Sequence, residues 1–292
     1  MKRVLFLLPL LALVFSVGAQ NTDSVAFAQA PRGKLKVKNA EAYTISTEIF
    51  SSPQTISVVK FSLDKFSIIP HQTGEVATTS DQGWASKADF AINACFWAVK
   101  KSVPTTYVKV NGVTLSTSHR AGLPRVNGLL MMYQDRIEVV QSTDMPEYSG
   151  LVEDCPNVIA CGPVLIDNGK RISYTHITTS QEPDLQRKIP FYLRRHPRSA
   201  VGCNAKGEVI LVVVDGRAEG NAEGATIEEL TSICQWLGMV EALNLDGGGS
   251  STLWSKKYGV LNHPCDNRLF DHEGERRVMS TLVVKQKNRK VV

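Results

Sequence analysis

Nothing in the chain divides it. Its 292 residues hold no internal repeat, no low-complexity linker and no block of like charge, which excludes a solenoid or tethered modules. The formal net charge is only +5, and Lys2 and Arg3 supply two of those charges at the extreme N-terminus. That balance is too weak to point to a nucleic acid partner. Six cysteines are present, at 95, 155, 161, 203, 234 and 265, yet no C-x2-C pair exists, which argues against a structural zinc site. Their spacing is not that of a small disulfide scaffold, and any pairing stays open. No histidine or cation adjoins Cys95 in sequence, so a nucleophilic thiol is not expected there. The serine nucleophile elbow G-x-S-x-G is missing, and no G-K-[ST] follows the glycines as a phosphate-binding P-loop requires.

One long apolar run exists, from Leu5 to Val17. It is shorter than the roughly 20 residues a spanning helix needs. With Lys2 and Arg3 before it and Val17-Gly18-Ala19 after it, residues 1–19 read as a secretory signal peptide. An exported protein, periplasmic or secreted and bacterial, with no transmembrane segment in the mature chain, is the expectation. Residues 20–40 are small and mixed in character and read as a loose tail. Residues 41–292 read as one large domain, long enough to bury a substantial core.

Within that domain β signals dominate. Residues 56–63 alternate as a strand, and residues 81–89 suggest a short helix with Asp81 as N-cap. Asn111-Gly112 between β-formers marks a hairpin. Further hairpins are expected over 128–140 and 158–169. Residues 208–214 are almost wholly apolar, as in a strand buried on both faces. Thr226 and Glu229 form a capping box at the head of an amphipathic helix running to Gly238. The fold class this predicts is α+β, with mixed, largely antiparallel sheets and a few helices. One βαβ-like unit stands out: strand 208–214, helix 226–238 and strand 242–246. Parallel strands there would deliver Asp215 and Asp246 to the same end.

The most informative run is N-L-D-G-G-G-S-S at residues 244–251. An apolar strand brings Asp246 to its end, and Gly247, Gly248 and Gly249 then leave the turn bare. Glycine tolerates positive φ and lets a ligand approach the backbone, and successive N–H groups in such a turn can form an anion-binding nest. Ser250 and Ser251 add hydroxyls. This combination suits an anionic or sugar-like ligand better than an apolar one.

The same run resembles the signature of the phosphodiester glycosidases, and five further segments resemble the family's motifs in order. They are A-I-N-A-C-F-W at 91–97, C-G-P-V-L-I-D-N-G at 161–169, H-P-R-S-A-V-G at 196–202, V-V-D-G-R at 213–217 and G-V-L-N-H-P at 259–264. Six segments in order are far more specific than any one of them. Ala94 and Cys95 stand where the family commonly has glycines, and His196 where it commonly has asparagine. The resemblance implies hydrolysis of the sugar–phosphate bond of glycosyl phosphodiesters such as N-acetylglucosamine-1-phosphodiesters.

Glycoside hydrolysis ordinarily uses two carboxylates, here Asp246 and Asp215. A phosphate leaving group is weakly basic, so cations and N–H donors on it help more than an acid does. Arg198 and Arg217 are the expected forks, and the three glycines the expected N–H donors. Asn93 and Asn244 suit sugar hydroxyls or phosphate oxygens; the alternative for Asn244 is that it points away from the Asp246 face or satisfies buried backbone, although alternation puts residues 244 and 246 on one strand face. Phe96 suits the face of a sugar ring. No cofactor is expected. Two aspartates with nearby carbonyls could hold Ca2+, yet no complete ligand loop is present. The alternative is a non-catalytic envelope protein that binds a carbohydrate or glycosyl phosphate.

Overall fold

The computed structural model describes residues 22–98, 100, 103–117, 125–142 and 148–287; the expected signal peptide lies outside them. Helix α1 covers residues 22–29. A meander follows, of β1 (Arg32–Leu35), β2 (Ala40–Ile49) and β3 (Ser52–Phe61), then β4 (Phe66–His71), helix α2 (Thr79–Ala85) and β5 (Phe90–Asn93). The chain continues through the small pair β6 (Trp97–Ala98) and β7 (Val103–Pro104) and the hairpin β8 (Val108–Val110) and β9 (Val113–Ser116). Next come β10 (Gly128–Met132), β11 (Ile137–Gln141), helix α3 (Tyr148–Leu151), β12 (Asn157–Cys161), β13 (Val164–Asp167) and β14 (Lys170–Arg171). Short helices α4 (Thr175–Thr178), α5 (Pro183–Gln186) and α6 (Ile189–Leu193) lead to β15 (Arg198–Asn204) and β16 (Val209–Val214). Helix α7 (Ile227–Trp236), β17 (Met239–Asn244), β18 (Leu253–Ser255), β19 (Gly259–Val260) and β20 (Thr281–Gln286) complete it.

The strands form an eight-stranded sheet in the order β1-β2-β3-β16-β15-β17-β13-β14 and two five-stranded sheets, β11-β10-β12-β8-β9 and β19-β18-β5-β20-β4. Neighbouring strands in these sheets pair antiparallel, in line with the α+β expectation. β16 shows why the large sheet sits at the centre. Val209, Leu211 and Val213 enter the core shared with the five-stranded sheets. Ile210, Val212 and Val214 enter the core under α1, α6 and α7. Every second residue faces the same side of a strand, so an unbroken apolar run is what a strand covered on both faces requires.

Three local expectations need correction. The stretch 20–40 is not a loose tail where it is described: Phe27 of α1 is buried against the Trp236 ring at 5.4 Å, and β1 pairs with β2. One aromatic anchor, invisible to composition, holds the segment. The cap of α2 is Thr78, whose hydroxyl accepts from the Asp81 N–H, so Asp81 lies in the first turn instead. The expected hairpin turn at 167–169 does join β13 to β14, but the strand expected over 158–166 is broken, because β12 and β13 belong to different sheets. The chain changes sheet at Gly162-Pro163.

β16 and β17 are parallel but not neighbours: β15 lies between them and pairs antiparallel with both. Asp215 and Asp246 therefore do leave the sheet at one end. Helix α7, which links these strands, carries the expected capping box. Thr226 Oγ1 accepts from the Glu229 N–H at 3.1 Å, and Glu229 Oε2 accepts from the Thr226 N–H at 2.8 Å. Glu229 also binds Arg195, which in turn donates to the Phe50 carbonyl. Thr226→Ala is expected to cost about 1 kcal/mol. Glu229→Ala should cost more, since it also strands the Arg195 guanidinium. The denaturation midpoints of the two variants check this order.

Candidate active site

Asp246 stands two residues past the end of β17, where its N–H donates to the Ala94 carbonyl at 2.9 Å. The residue is partly exposed, and its Oδ1 accepts from the Gly247 N–H at 2.9 Å. Burial pushes its pKa up to about 6, while the Ser250 hydroxyl, the Gly247 N–H, Arg276 and Arg125 pull it the other way. Desolvation outweighing two guanidinium groups marks a low-dielectric setting for an acid.

The glycines have a different use from the one expected. The Gly247 N–H serves Asp246, and the Gly248 N–H donates to the Pro197 carbonyl at 2.8 Å. Two of the three N–H groups are thus committed inside the turn. What the missing side chains permit is close approach by neighbours. A Cβ on Gly248, whose φ is +65°, would lie 2.9 Å from the Arg217 guanidinium. A Cβ on Gly249 would overlap Asp266 and Arg276, which form a bidentate ion pair with Nε–Oδ2 2.8 Å and NH2–Oδ1 2.6 Å. The turn is a floor against which cations rest.

Asp215 is fully buried and fully engaged. Oδ1 accepts from Asn262 Nδ2 and from the His263 N–H, each at 2.9 Å, and Oδ2 lies 2.9 Å from His263 Nδ1. It does not pair with Arg217, whose guanidinium approaches Cys265 Sγ and His196 Nδ1. Asp215 thus orients an imidazole instead of facing a ligand. The His263 ring stacks on Phe270 at 3.9 Å and on His272 at 4.5 Å. A carboxylate on Nδ1 fixes the tautomer of a neutral ring and leaves Nε2 as the acceptor.

Arg198, an expected fork, is 1% exposed. Nε donates to the Ala225 carbonyl at 2.8 Å, and NH2 to the Phe191 and Arg194 carbonyls at 2.7 and 3.1 Å. Burial lowers its pKa to about 10. It ties the 191–198 strap to the head of α7 and has no free fork for a phosphate. Asn93 and Asn244 are likewise structural in their contacts. Asn93 Nδ2 donates to the Asp246 carbonyl at 2.6 Å, and Oδ1 accepts from Ser199 Oγ and the Thr252 N–H. Asn244 Nδ2 donates to the Gly162 and Leu245 carbonyls. Phe96 is half-buried at the rim, edge-on to Phe191, with Arg125 above both rings at 5.5 and 5.1 Å.

Around the turn, the buried atoms Asn244 Oδ1, Ser251 Oγ and Thr252 Oγ1 have no protein partner. Buried polar atoms are nearly always satisfied, so this concentration in one short stretch suits a polar ligand or ordered water. Cys95 and Cys161 pack beside Asp246, and burial pushes the Cys95 thiol up to about 11, which makes it a poor nucleophile. Among the described residues no three His, Cys, Asp or Glu side chains are grouped to hold a metal ion.

Sequence reasoning missed His263, Arg276 and Arg125. His263 lay in a matched segment, but only the fold reveals its bond to Asp215, 48 residues away. Arg276 and Arg125 carry no local signal.

The phosphodiester glycosidase family profile matches residues 86–285. A prophage-derived uncharacterized protein of Bacillus subtilis, YomE, is 27% identical over 195 residues, 66% of this chain. The chain spans only 27% of the length of that relative. Among solved structures, the zebrafish N-acetylglucosamine-1-phosphodiester alpha-N-acetylglucosaminidase catalytic domain, auto-inhibited by its pro-peptide, aligns with TM-score 0.68 at 16% identity. That alignment covers 89% of this chain and 87% of the zebrafish chain. A hypothetical protein from Synechocystis aligns with TM-score 0.66 at 16% identity, over 88% of this chain and 64% of the other. A Burkholderia pseudomallei protein named "putative exported protein" aligns with TM-score 0.58 at 15% identity, over 81% of this chain and 75% of the other. These likenesses establish the shared fold.

The two arginines should separate experimentally. Arg198→Ala leaves three carbonyls without their donor and should lower stability by about 2–4 kcal/mol. Arg217→Ala should leave the unfolding midpoint within about 0.5 kcal/mol of wild type, as for surface changes. Asp246→Asn should raise stability. A carboxylate whose folded pKa exceeds its unfolded value penalises the folded state once ionised, so the gain is full above pH 6 and vanishes below about pH 4. Melting curves across that range check the sign.

Proposed function

The chain belongs to the phosphodiester glycosidase family, and on that premise we propose that it is a hydrolase cleaving the sugar–phosphate bond of glycosyl phosphodiesters. The observation that carries this reading is Asp246: a desolvated carboxylate on a partly exposed residue, with a pKa near 6, lodged among Arg276, Arg125 and the glycine turn. A negatively charged leaving group needs cations, and a sugar carbon that becomes oxocarbenium-like needs a carboxylate.

In this scheme Arg217 and Arg276, which rest on Gly248 and Gly249, receive the phosphate. Asp246 deprotonates a water whose oxygen attacks the anomeric carbon. The C–O bond to phosphate breaks with its electron pair on the phosphate oxygen, which needs little protonation because a phosphate monoester is a good leaving group. Asp246 then returns the proton to solvent. His263, held by Asp215, positions the water or a sugar hydroxyl through Nε2. Phe96 offers a face to the sugar, and the hydroxyls of Ser250 and Ser251 offer it polar contacts.

Export is part of the same proposal. It rests on the signal-like residues 1–19, and no described helix is long and apolar enough to cross a membrane.

Incubation with UDP-N-acetylglucosamine and a panel of glycosyl phosphodiesters should release free sugar. With Asp246 as the base, kcat/KM should rise with pH through about 6 and level off above it, since the ionised form is the active one. Asp246→Asn should lose at least about 10²-fold, while being no less stable than wild type. Saturable calorimetric binding of a glycosyl phosphate with no product from folded wild type would instead support the non-catalytic binding protein.

A further inference from the structure

At the end of β5 and β18 remote from the glycine turn lies a concave cleft of about 1030 Å³. The turn is reached at Asn93 and Thr252, whereas the cleft is lined at Asp89 and Lys256. Lys38, Lys65, Lys87, Lys256 and Lys287 converge on it. An adjoining groove of about 440 Å³ shares Lys38 and Lys256 and adds Lys36 and Lys257. Surface lysines ordinarily spread over convex, solvated faces. Gathering them around a hollow sums their fields and focuses potential inside it.

The cleft is not neutralised from within. Its only acidic lining residues are Asp64 and Asp89, and among the described residues neither forms an ion pair. Asp89 Oδ2 instead accepts from the Gln286 N–H. Lys287 Nζ donates to the Leu63 and Gln134 carbonyls. The ammonium groups of Lys38, Lys65, Lys87 and Lys256 make no hydrogen bond or ion pair among the described residues. They are exposed point charges without partners, the kind that hold phosphate without demanding one geometry.

We propose that this cleft is a binding site for a linear anionic polymer of phosphodiester-linked units without bases. Its length along two strand ends, with the groove continuing past Lys38, suits a chain better than a single phosphate. Among the described residues no aromatic side chain lines the cleft, and Phe66 and Phe90 beneath the adjoining groove are buried in the core and offer no exposed face, whereas single-stranded nucleic acid sites combine a basic groove with stacking platforms. A membrane surface needs a flat or apolar face that can enter the headgroup layer, and a polar hollow does not provide one. Because the cleft and the glycine turn lie at opposite ends of the shared strands, the site anchors a polymer and is not a continuation of the sugar pocket. It stands whether or not Asp246 is catalytic.

The test is calorimetric titration of the intact protein with synthetic poly(glycerol phosphate), against an oligothymidylate with the same number of phosphates. Wild type and Asp246→Asn should bind the glycerol polymer equally. Combined Lys38→Gln, Lys65→Gln, Lys87→Gln and Lys256→Gln should weaken it by roughly tenfold or more at low salt, with a log K against log salt slope shallower by about 3. Lys34→Gln, Lys170→Gln, Arg187→Gln and Lys206→Gln, which remove the same charge elsewhere, should change affinity less than about threefold, as screened distant charges do. Equal losses in the two quadruple variants would overturn the site. So would absence of binding by wild type, or tighter binding of the oligothymidylate. Circular dichroism of each variant must match wild type.

Discussion

The candidate site depends on one amide. Asn93 ends β5 in a five-stranded sheet, and its side chain accepts from Ser199 of β15 in the eight-stranded sheet. The same oxygen accepts from the Thr252 N–H, while its nitrogen donates to the Asp246 carbonyl. Two sheets and both flanks of the glycine turn thus meet at a group sealed from solvent. Asn262 completes the frame: it donates to Asp215 Oδ1 and the Ser251 carbonyl and accepts from the Leu253 N–H. Two asparagines therefore bracket residues 251–253 and relay position between Asp215 and Asp246. A buried hydrogen-bonded network of this kind specifies geometry more strictly than apolar packing does, because rearranging it unpairs the amides that hold it.

The glycine turn gains its electrostatic character from that frame. The missing Cβ atoms of Gly248 and Gly249 bring Arg217 and the Asp266–Arg276 pair down onto the backbone. Asp266 keeps Arg276 in place but also offsets its charge. Asp246 therefore feels desolvation more than attraction, and its pKa stays high. An incoming phosphate would compete with Asp266 for the same guanidinium, which couples occupancy of the turn to the charge state of Asp246.

Much of this was legible in the sequence. The unbroken apolar run of β16, the Thr226–Glu229 box and the Asn-Gly hairpin are local patterns, and local patterns survive folding. The glycine turn and Asp246 announced themselves because three successive glycines have few other uses. What could not be read was the assignment of partners. Asn93, Asn244 and Arg198 looked like ligand contacts because they are polar residues in matched segments. Within the protein, Arg198 is engaged by three carbonyls, Asn93 by Ser199, the Thr252 N–H and the Asp246 carbonyl, and Asn244 through Nδ2, its Oδ1 left without a protein partner. His263 and Arg276 were missed for the converse reason: what brings them to the site, the bond to Asp215 and the close approach to Gly249, is distant in sequence. Polar side chains near a site face two claimants, ligand and backbone, and sequence alone does not say which one is closer.

The contrast between the two aspartates arises from topology. β16 and β17 run parallel with β15 between them, so both strands end in a carboxylate on one edge of the sheet. After β16 the chain meets the 262–263 segment, which surrounds Asp215 with three donors and closes it off. After β17 the chain meets glycine, and the one backbone donor on the Asp246 carboxylate is the Gly247 N–H, too little to offset its desolvation. Two equivalent strand ends thus give one carboxylate that orients an imidazole and another poised near neutrality. The neighbours that each strand end meets, not the aspartates themselves, set them apart.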